Sequence, residues 1–127
     1  MDYRLLESVS RYMRSRGLRG KYDHVILAGA ALGAVTDKFA AWGQTFWQHL
    51  DTAIELHGIH KVIVIDHRDC GAYKVILGED LSSDPAKERS VHAVQLRKLR
   101  DDIKARHAAL DVELGLMDLR GKVQTIG

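Results

Sequence analysis

Two side chains that can bind a metal ion, His67 and Cys70, stand three residues apart near the middle of the sequence. An imidazole nitrogen and a thiolate sulfur are ligand types that zinc prefers, and a catalytic zinc site needs three protein ligands. Asp66 and Asp69 are the candidates for the third ligand that lie closest in sequence. The other candidates are a residue of a partner subunit or one of three histidines: His24, His49 and His60.

The thiol of Cys70 offers a second kind of chemistry that needs no metal. It stands at the start of a predicted short helix, beside His67 and Arg68, and such a setting lowers the pKa of a thiol. Cys70 could then act as a nucleophile or a redox thiol. An anion could instead bind at Arg68 and Gly71. The Cys-x5-Arg loop of tyrosine phosphatases is absent, because Ile76 occupies the position of its arginine.

The segment that must position these groups is Lys61 to Lys74, which reads KVIVIDHRDCGAYK. Its valine and isoleucine residues form a short apolar run, which is typical of a buried strand in a parallel sheet. The run stops at a cluster of ionisable side chains. In open α/β sheets, ligands bind at the carboxyl ends of the strands, so the predicted site lies where ligands are expected.

The periodicity of apolar residues and the turn residues predict an alternation of helices and strands around this segment. Glycines and Pro85 mark most of the boundaries. In chain order we expect a helix ending near Gly17, a strand over His24–Ala28, and a helix capped by Thr45 and Gln48 and ended by Gly58. The central strand follows, and after it a short helix over Gly71–Leu77. The chain then forms a helix from Pro85 to about Ala109, capped by Ser83 or Asp84, and a hairpin of Val112–Leu119 with Val123–Ile126.

A small-residue stretch, Gly29 to Gly33, follows the predicted strand at His24–Ala28. Small residues let backbone amides approach an anion at a helix start. The spacing of these glycines fits neither the dinucleotide fingerprint nor the P-loop. We therefore expect this stretch to serve close packing of backbone against backbone.

Composition limits the class of protein. With 127 residues, of which 46% are apolar, the chain is expected to form one domain, with residues 1–22 as an amino-terminal helical arm. The 19 basic and 17 acidic residues leave a formal charge of +2, which gives no case for nucleic acid or membrane binding. The longest apolar run, Val25 to Val35, is too short to span a bilayer. A single cysteine and a charged amino terminus favour a cytoplasmic location.

The run from Phe46 to Tyr73 resembles the central segment of the β-class carbonic anhydrases, in which a helix ending in Leu-x-Gly leads into a strand and then His-x-x-Cys-Gly. The tail LDVELGLMDLRGKVQTIG is similar to the terminal hairpin of that family. The resemblance implies an α/β fold with a mostly parallel central sheet flanked by helices, and a homodimer. It also implies zinc held by two cysteines and one histidine beside an Asp-Arg pair, hydrating carbon dioxide to bicarbonate.

The family's other zinc cysteine begins an upstream Cys-x-Asp-x-Arg motif. By spacing to His67, this motif would fall near Tyr12 to Arg16, where Tyr12 and Arg14 replace the cysteine and the aspartate. A second alignment places ILAGAALGAVTDK over the family's following strand. Both alignments leave the ligand set and the Asp-Arg pair incomplete. We therefore predict a β-carbonic-anhydrase-like protein with an incomplete zinc site and with hydration activity that is weak or lost.

Three alternatives remain open at this point. The chain could be a zinc-dependent carbonic anhydrase with a rebuilt ligand set. It could be a non-catalytic anion-binding or regulatory relative, with carbon dioxide or bicarbonate as the small molecule. It could also work through the thiol of Cys70. Trp42, Phe46 and Trp47 form an apolar surplus that would suit either a subunit interface or the core.

Overall fold

A computed structural model describes residues 1–127 and has helices on a small sheet. The α/β class predicted from the sequence is confirmed. A 3₁₀ turn over Tyr3–Leu5 precedes the first helix. The helices are α1 (Leu6–Ser15), α2 (Ala31–Val35), α3 (Ala40–His57), α4 (Gly71–Leu77) and α5 (Pro85–Arg106), and the strands are β1 (Lys61–His67), β2 (Asp111–Met117) and β3 (Val123–Ile126).

The sheet has three strands in the order β1-β2-β3 and is mixed. Strand β1 runs parallel to β2, with Lys61 opposite Asp111 at one end of the ladder and His67 opposite Met117 at the other. Strand β2 then turns back into β3 as an antiparallel pair. The predicted carboxyl-terminal hairpin is therefore confirmed, and the end of the parallel ladder lies beside His67.

Helix α5 returns the chain from the carboxyl end of β1 to the start of β2. It begins as predicted, because Pro85 occupies the first turn and the Asp84 side chain accepts a hydrogen bond from the backbone of Lys87. Its buried stripe packs against the sheet and supplies four of the twelve buried residues of the main core. The apolar side chains of this stripe are Ala93, Leu96, Leu99 and Ile103, and their sheet partners include Val64, Leu114 and Leu116.

The predicted strand at His24–Ala28 is wrong, because these residues belong to no strand of the sheet. The side chains of Val25 and Ile26 are 45% and 50% exposed. A β-strand is stable only when a neighbouring strand pairs with its backbone, and apolar composition alone does not provide that partner. Strand β1 consequently forms an edge of this sheet.

Helix α3 starts five residues earlier than the predicted capping box. It begins at Ala40, and the Thr45 hydroxyl, inside the helix, donates to the carbonyl oxygen of Ala41. A threonine hydroxyl can be satisfied in this way within a helix, so the Thr45-Gln48 pattern did not mark an end. The helix ends as predicted at Gly58, which has a left-handed conformation.

The stretch from Gly29 to Gly33 packs backbone against backbone, as the sequence predicts. A Cβ atom at Gly33 would overlap the carbonyl oxygen of Ala28. Only glycine permits this approach, which brings the start of α2 against the preceding turn.

None of the helices is both long and apolar enough to cross a membrane.

Candidate functional site

The predicted metal-binding pair lies where β1 leads into α4. His67 is the last residue of β1, and Cys70 is the residue that precedes α4. The Nδ1 atom of His67 lies 2.8 Å from the carbonyl oxygen of Arg68, so Nδ1 is the nitrogen that carries the proton. The lone pair of neutral His67 is therefore on Nε2, the nitrogen that faces the rest of the site.

The imidazole of His67 and the thiol of Cys70 lie close enough to change each other's ionisation. Burial lowers the pKa of His67, but Cys70, the Arg68 carbonyl and Asp2 together raise it above its ordinary value. Burial raises the pKa of Cys70, but His67 and the backbone N–H groups of the following helix lower it below its ordinary value. The pair thus shifts Cys70 toward the thiolate, which is the form that binds metals.

An ion pair from the first residues of the chain joins this site. The guanidinium of Arg4 contacts the carboxylate of Asp2 through Nη2 at 2.6 Å and through Nε at 3.0 and 3.1 Å. Hydrogen bonding from Arg4 lowers the pKa of Asp2 to about 2, so this carboxylate is ionised. One carboxylate oxygen of Asp2 lies 3.8 Å from Nε2 of His67, and Arg4 also contacts Asp69 at 2.9 Å.

Sequence reasoning missed Asp2 and Arg4. Their Asp-x-Arg spacing matches the last two positions of Cys-x-Asp-x-Arg, and this was the signal that could have found them. The cysteine of that motif would stand two residues before Asp2, which is outside these 127 residues. Spacing to His67 instead placed the motif further along the chain, at Tyr12 to Arg16.

Residues Tyr12 to Arg16 do not lie at the site. Arg16 contacts the hydroxyl of Tyr12 at 3.1 Å and the carboxylate of Glu113 at 2.7 Å. Glu113 stands four residues before Met117, the β2 residue that lies opposite His67. Four residues of strand span about 13 Å. The alignment of the Cys-x-Asp-x-Arg motif with Tyr12 to Arg16 is therefore wrong.

A cavity of about 440 Å³ opens beside Cys70, and His67 is not among the residues that line it. It is lined by side chains from the amino terminus, the loop after β1, and helices α4 and α5. Among the lining residues are Asp2, Arg4, Cys70, Gly71, Tyr73 and His92. This volume is sufficient for a small molecule or anion.

Asp66 and Asp69, the candidates for the third metal ligand, have other partners. Asp66 is buried and accepts hydrogen bonds from the backbone of Ala31 at 3.0 Å, from the Tyr73 hydroxyl at 2.6 Å and from Nδ1 of His92 at 2.7 Å. Successive side chains of a strand point to opposite faces, so Asp66 points away from His67. The carboxylate of Asp69 contacts the guanidinium of Arg4.

The loop between His67 and Cys70 is held by Glu88, a buried residue of α5. One Glu88 oxygen accepts the backbone N–H of Asp69 at 2.6 Å, and the other contacts Arg68 at 2.8 Å. The charge of Arg68 is therefore already neutralised. Gly71 lines the cavity and Arg68 does not. Anion binding at Arg68 and Gly71 stays a prediction, and Arg4 is the arginine that faces the cavity.

The donor atoms fit zinc in type but not in number. His67 supplies a nitrogen ligand and Cys70 a sulfur ligand, and both ligand types occur together in zinc sites of the Cys/His kind. No group of three His, Cys, Asp or Glu side chains in residues 1–127 is arranged to hold a metal ion. The candidate histidines do not complete a set of three metal ligands with His67 and Cys70. These histidines are His24, His49 and His60.

Comparison with known proteins identifies similar sequences. A family model described as "Putative carbonic anhydrase" matches residues 1–126. An uncharacterized protein of Rickettsia conorii is 38% identical over 126 residues, which are 99% of this chain and 68% of that protein. An uncharacterized protein of Rickettsia bellii is 36% identical over 126 residues, covering 99% of this chain and 77% of its own length.

A solved structure is also similar in outline. It is the crystal structure of a carbonic anhydrase from Streptococcus mutans, with 13% sequence identity and a TM-score of 0.49 over the whole of both chains. Similarity at this level does not identify a shared site.

Proposed function

Because the chain belongs to the carbonic anhydrase family whose model matches residues 1–126, we propose that His67 and Cys70 are two ligands of a carbonic-anhydrase zinc site. The Asp2–Arg4 pair is the Asp-Arg pair of that site. The ligand set within these 127 residues is incomplete. Hydration of carbon dioxide by the 127-residue chain is therefore weak or lost.

The observation that carries this proposal is the meeting of two distant parts of the sequence. Asp2 lies 3.8 Å from Nε2 of His67, although 65 residues separate them in the chain. Nothing in the packing of an apolar core requires an ionised carboxylate, a guanidinium, an imidazole and a thiol at one place. Such convergence of ionisable groups beside a cavity is characteristic of functional sites.

Each side chain has a role in this proposal. His67 presents its Nε2 lone pair because the Arg68 carbonyl accepts its Nδ1 proton. Cys70 provides a thiolate at a lowered pKa. Asp2, held by Arg4, is an ionised carboxylate that would accept a hydrogen bond from a water molecule placed beside His67. Zinc, when bound, would lower the pKa of a bound water to about 7 so that it could attack as hydroxide.

Restoring the missing ligand tests the proposal. The experiment adds Met-Cys before Met1, which places a cysteine two residues before Asp2, and the matched control adds Met-Ser. We expect the cysteine form to purify with near-stoichiometric zinc and to hydrate carbon dioxide in a stopped-flow assay. The serine form and the unextended chain should retain little of either property. Cys70→Ser in the cysteine form should remove zinc and activity together.

Two results would contradict the proposal. If the unextended chain binds zinc stoichiometrically and hydrates carbon dioxide rapidly, its ligand set is complete and has been rebuilt from other residues. If the cysteine form binds no zinc, His67 and Cys70 are not part of a metal site.

Arg4→Lys in the cysteine form should keep zinc but lower activity, since lysine cannot hold Asp2 through two nitrogens.

The lowered pKa of Cys70 favours a second candidate, a function of the free thiol. Selective alkylation of Cys70 near neutral pH in the metal-free protein, together with failure of the cysteine form to take up zinc, would support it.

The resemblance also favours a homodimer. Light scattering of the purified chain measures that directly.

A further inference from the structure

Strand β1 has backbone groups on one side that no other strand meets. Asp111 of β2 donates its N–H to the carbonyl oxygen of His60, and in a parallel ladder every second residue faces the same neighbour. The even-numbered residues of β1 therefore face β2, and the odd-numbered residues point their N–H and C=O groups to the open side of the sheet. These residues are Lys61, Ile63, Ile65 and His67. An open edge of this kind readily pairs with another strand.

A second unpaired stretch, residues 22–28, belongs to the same part of the molecule. From Tyr22 to Ala28, no backbone N–H donates a hydrogen bond within the protein, and residues 22–27 form neither helix nor turn. The side chains of Val25 and Ile26 are exposed, whereas Leu27 packs against the main core. Because backbone N–H groups need partners, this stretch has the composition of a strand and lacks only the neighbour.

The stretch runs beside β1 in the same direction. Near its start, the carboxylate of Asp23 lies 2.7 Å from Nδ1 of His57, which ends α3 shortly before β1 begins. Just beyond its end, the N–H of Ala31 donates at 3.0 Å to the side chain of Asp66, near the end of β1. Paired strands lie about 4.8 Å apart and exchange backbone hydrogen bonds. The stretch and β1 exchange none, so the stretch does not occupy the position of a paired neighbour. We call the space between these two unpaired edges the strand slot.

Met1 lies at the end of the strand slot that is close to His67. The nitrogen of Met1 lies 3.4 Å from the carbonyl oxygen of Leu27, and a carboxylate oxygen of Asp2 lies 3.8 Å from Nε2 of His67. The first two residues thus connect the two sides of the slot. A chain that reached Met1 from the opposite end of the slot would lie between the two edges and run parallel to both.

We propose that the strand slot binds one extended, apolar segment that leads directly into Met1 and pairs with β1 as a parallel strand. Its backbone bonds to the odd-numbered residues of β1 on one side and to residues 22–28 on the other. A segment joined to Met1 loses less freedom on binding than a free peptide or a second copy of the chain. The Rickettsia conorii protein has further residues for such a segment, since the matched part is 68% of its length.

The sheet also determines the side chains that suit this segment. Val62 and Val64, on one face of β1, pack in the main core. Successive side chains of a strand alternate between the two faces, so alternate residues of the segment must be apolar to extend this face. The inference concerns backbone pairing alone and requires neither zinc nor the proposed function.

Amide hydrogen exchange of the 127-residue chain tests the unpaired edges. The N–H groups of Ile63 and Ile65 and of residues 22–28 should exchange at least about 10-fold faster than those of Val62 and Val64, which donate to β2. Equal protection of the two sets would overturn the inference. Protection of Ile63 and Ile65 that grows with protein concentration would also overturn it, because a second copy would then be the occupant.

An added segment tests the occupant. One form carries about six residues before Met1 that alternate valine with threonine, which is the usual length of a strand. The matched controls carry a Gly-Ser segment of the same length, or the alternating segment with a central proline that has no N–H to donate. We expect the alternating segment to slow exchange at Ile63, Ile65 and residues 22–28 about 10- to 100-fold and to raise the urea midpoint of unfolding. Both controls should leave exchange and midpoint unchanged.

A substitution in β1 locates the effect. Ile63→Pro removes an N–H that faces the slot and leaves the hydrogen bonds to β2 in place, as an edge strand permits. It should cancel the gain from the alternating segment. If the alternating segment protects no better than the Gly-Ser segment, the inference is wrong. If the same segment added as a free peptide protects equally well at equal concentration, the site takes a separate partner and a segment joined to Met1 is the wrong occupant. None of these results depends on zinc uptake by the cysteine form.

Discussion

The backbone N–H of Asp69 donates to the carboxylate of Glu88 at 2.6 Å, and this contact holds a left-handed residue in place. Asp69 has a backbone φ of 54°, which is uncommon for residues other than glycine. The second oxygen of Glu88 holds Arg68. One buried carboxylate of α5 thus fixes the turn that brings Cys70 back toward His67.

Removing this carboxylate should separate the two members of the candidate metal pair. In Glu88→Ala, the Asp69 N–H and the Arg68 charge lose their partner, and the free energy of unfolding should fall by about 3 kcal/mol. The pKa of Cys70 should rise toward its ordinary value because His67 no longer lies beside it. The rate of Cys70 alkylation as a function of pH measures this, since the chain has one cysteine.

Two matched variants control that experiment. Glu88→Gln keeps an oxygen for the Asp69 N–H but removes the charge, so it should move the alkylation midpoint less than Glu88→Ala does. Glu79→Gln removes an exposed partner of Lys87 and should leave both properties unchanged. An alkylation profile that is the same in Glu88→Ala and the wild type would show that Glu88 does not position the loop.

Asp66→Asn should destabilise the protein more than the loss of an exposed carboxylate. The amide has only one acceptor oxygen, while three donors converge on the Asp66 carboxylate. We expect the free energy of unfolding to fall by about 2–4 kcal/mol in urea titrations. Asp101→Asn, which alters an exposed pair with Arg100, should cost under about 0.5 kcal/mol. Equal losses in the two variants would show that the three hydrogen bonds to the Asp66 carboxylate do not stabilise the fold.

Acid should weaken the attachment of α1 to the sheet through Glu113. Hydrogen bonds from Arg16 and then Lys61 lower the pKa of Glu113 from an ordinary 4.5 to about 2. The contribution of this carboxylate is fully present above its ordinary pKa and is lost as the pH falls through about 2. The Glu113 side chain is 35% exposed, so screening keeps the contribution small.

Glu113→Gln should therefore lower stability at neutral pH and reduce the loss of stability on acidification. The measurement is the free energy of unfolding in urea at about pH 6 and about pH 3, compared with the wild type. Glu55→Gln, at an exposed position of α3, is the control and should keep the wild-type dependence. A steeper loss on acidification in Glu113→Gln would show that the sign is wrong.

Gly33→Ala should be strongly destabilising because its Cβ would overlap the carbonyl oxygen of Ala28. Relief requires movement of backbone, and overpacking of this kind costs about 1–3 kcal/mol or more. Gly71→Ala is the control, since no atom lies within 4 Å of its added Cβ. Thermal unfolding of both variants measures the difference. A small effect at Gly33 would mean that the turn before α2 can move freely.

Much of the local structure could be predicted from the sequence. The apolar run of β1, the Pro85 start of α5 and the carboxyl-terminal hairpin follow from periodicity and turn residues. The positions of His67 and Cys70 at the end of a strand were predicted for the same reason. The failed strand at His24–Ala28 had the right composition, but pairing depends on a neighbour that composition does not specify.

The candidate site could be predicted only in part. His67 and Cys70 are close in sequence, so their spacing revealed them. Asp2 and Arg4 lie at the other end of the chain, and spacing from His67 directed the search to Tyr12 and Arg16 instead. His92 carried no signal, since a histidine on a helix stripe is ordinary core composition.

The sequence by itself determined the elements, the family resemblance and the local metal-binding pair, because these depend on side chains close together in the chain. Only the tertiary structure decided that Asp2 meets His67, that Glu88 holds the loop, and that Asp66 contacts His92. The physical reason is that a hydrogen bond depends on distance and direction in space. Folding alone brings such partners within about 3 Å of each other.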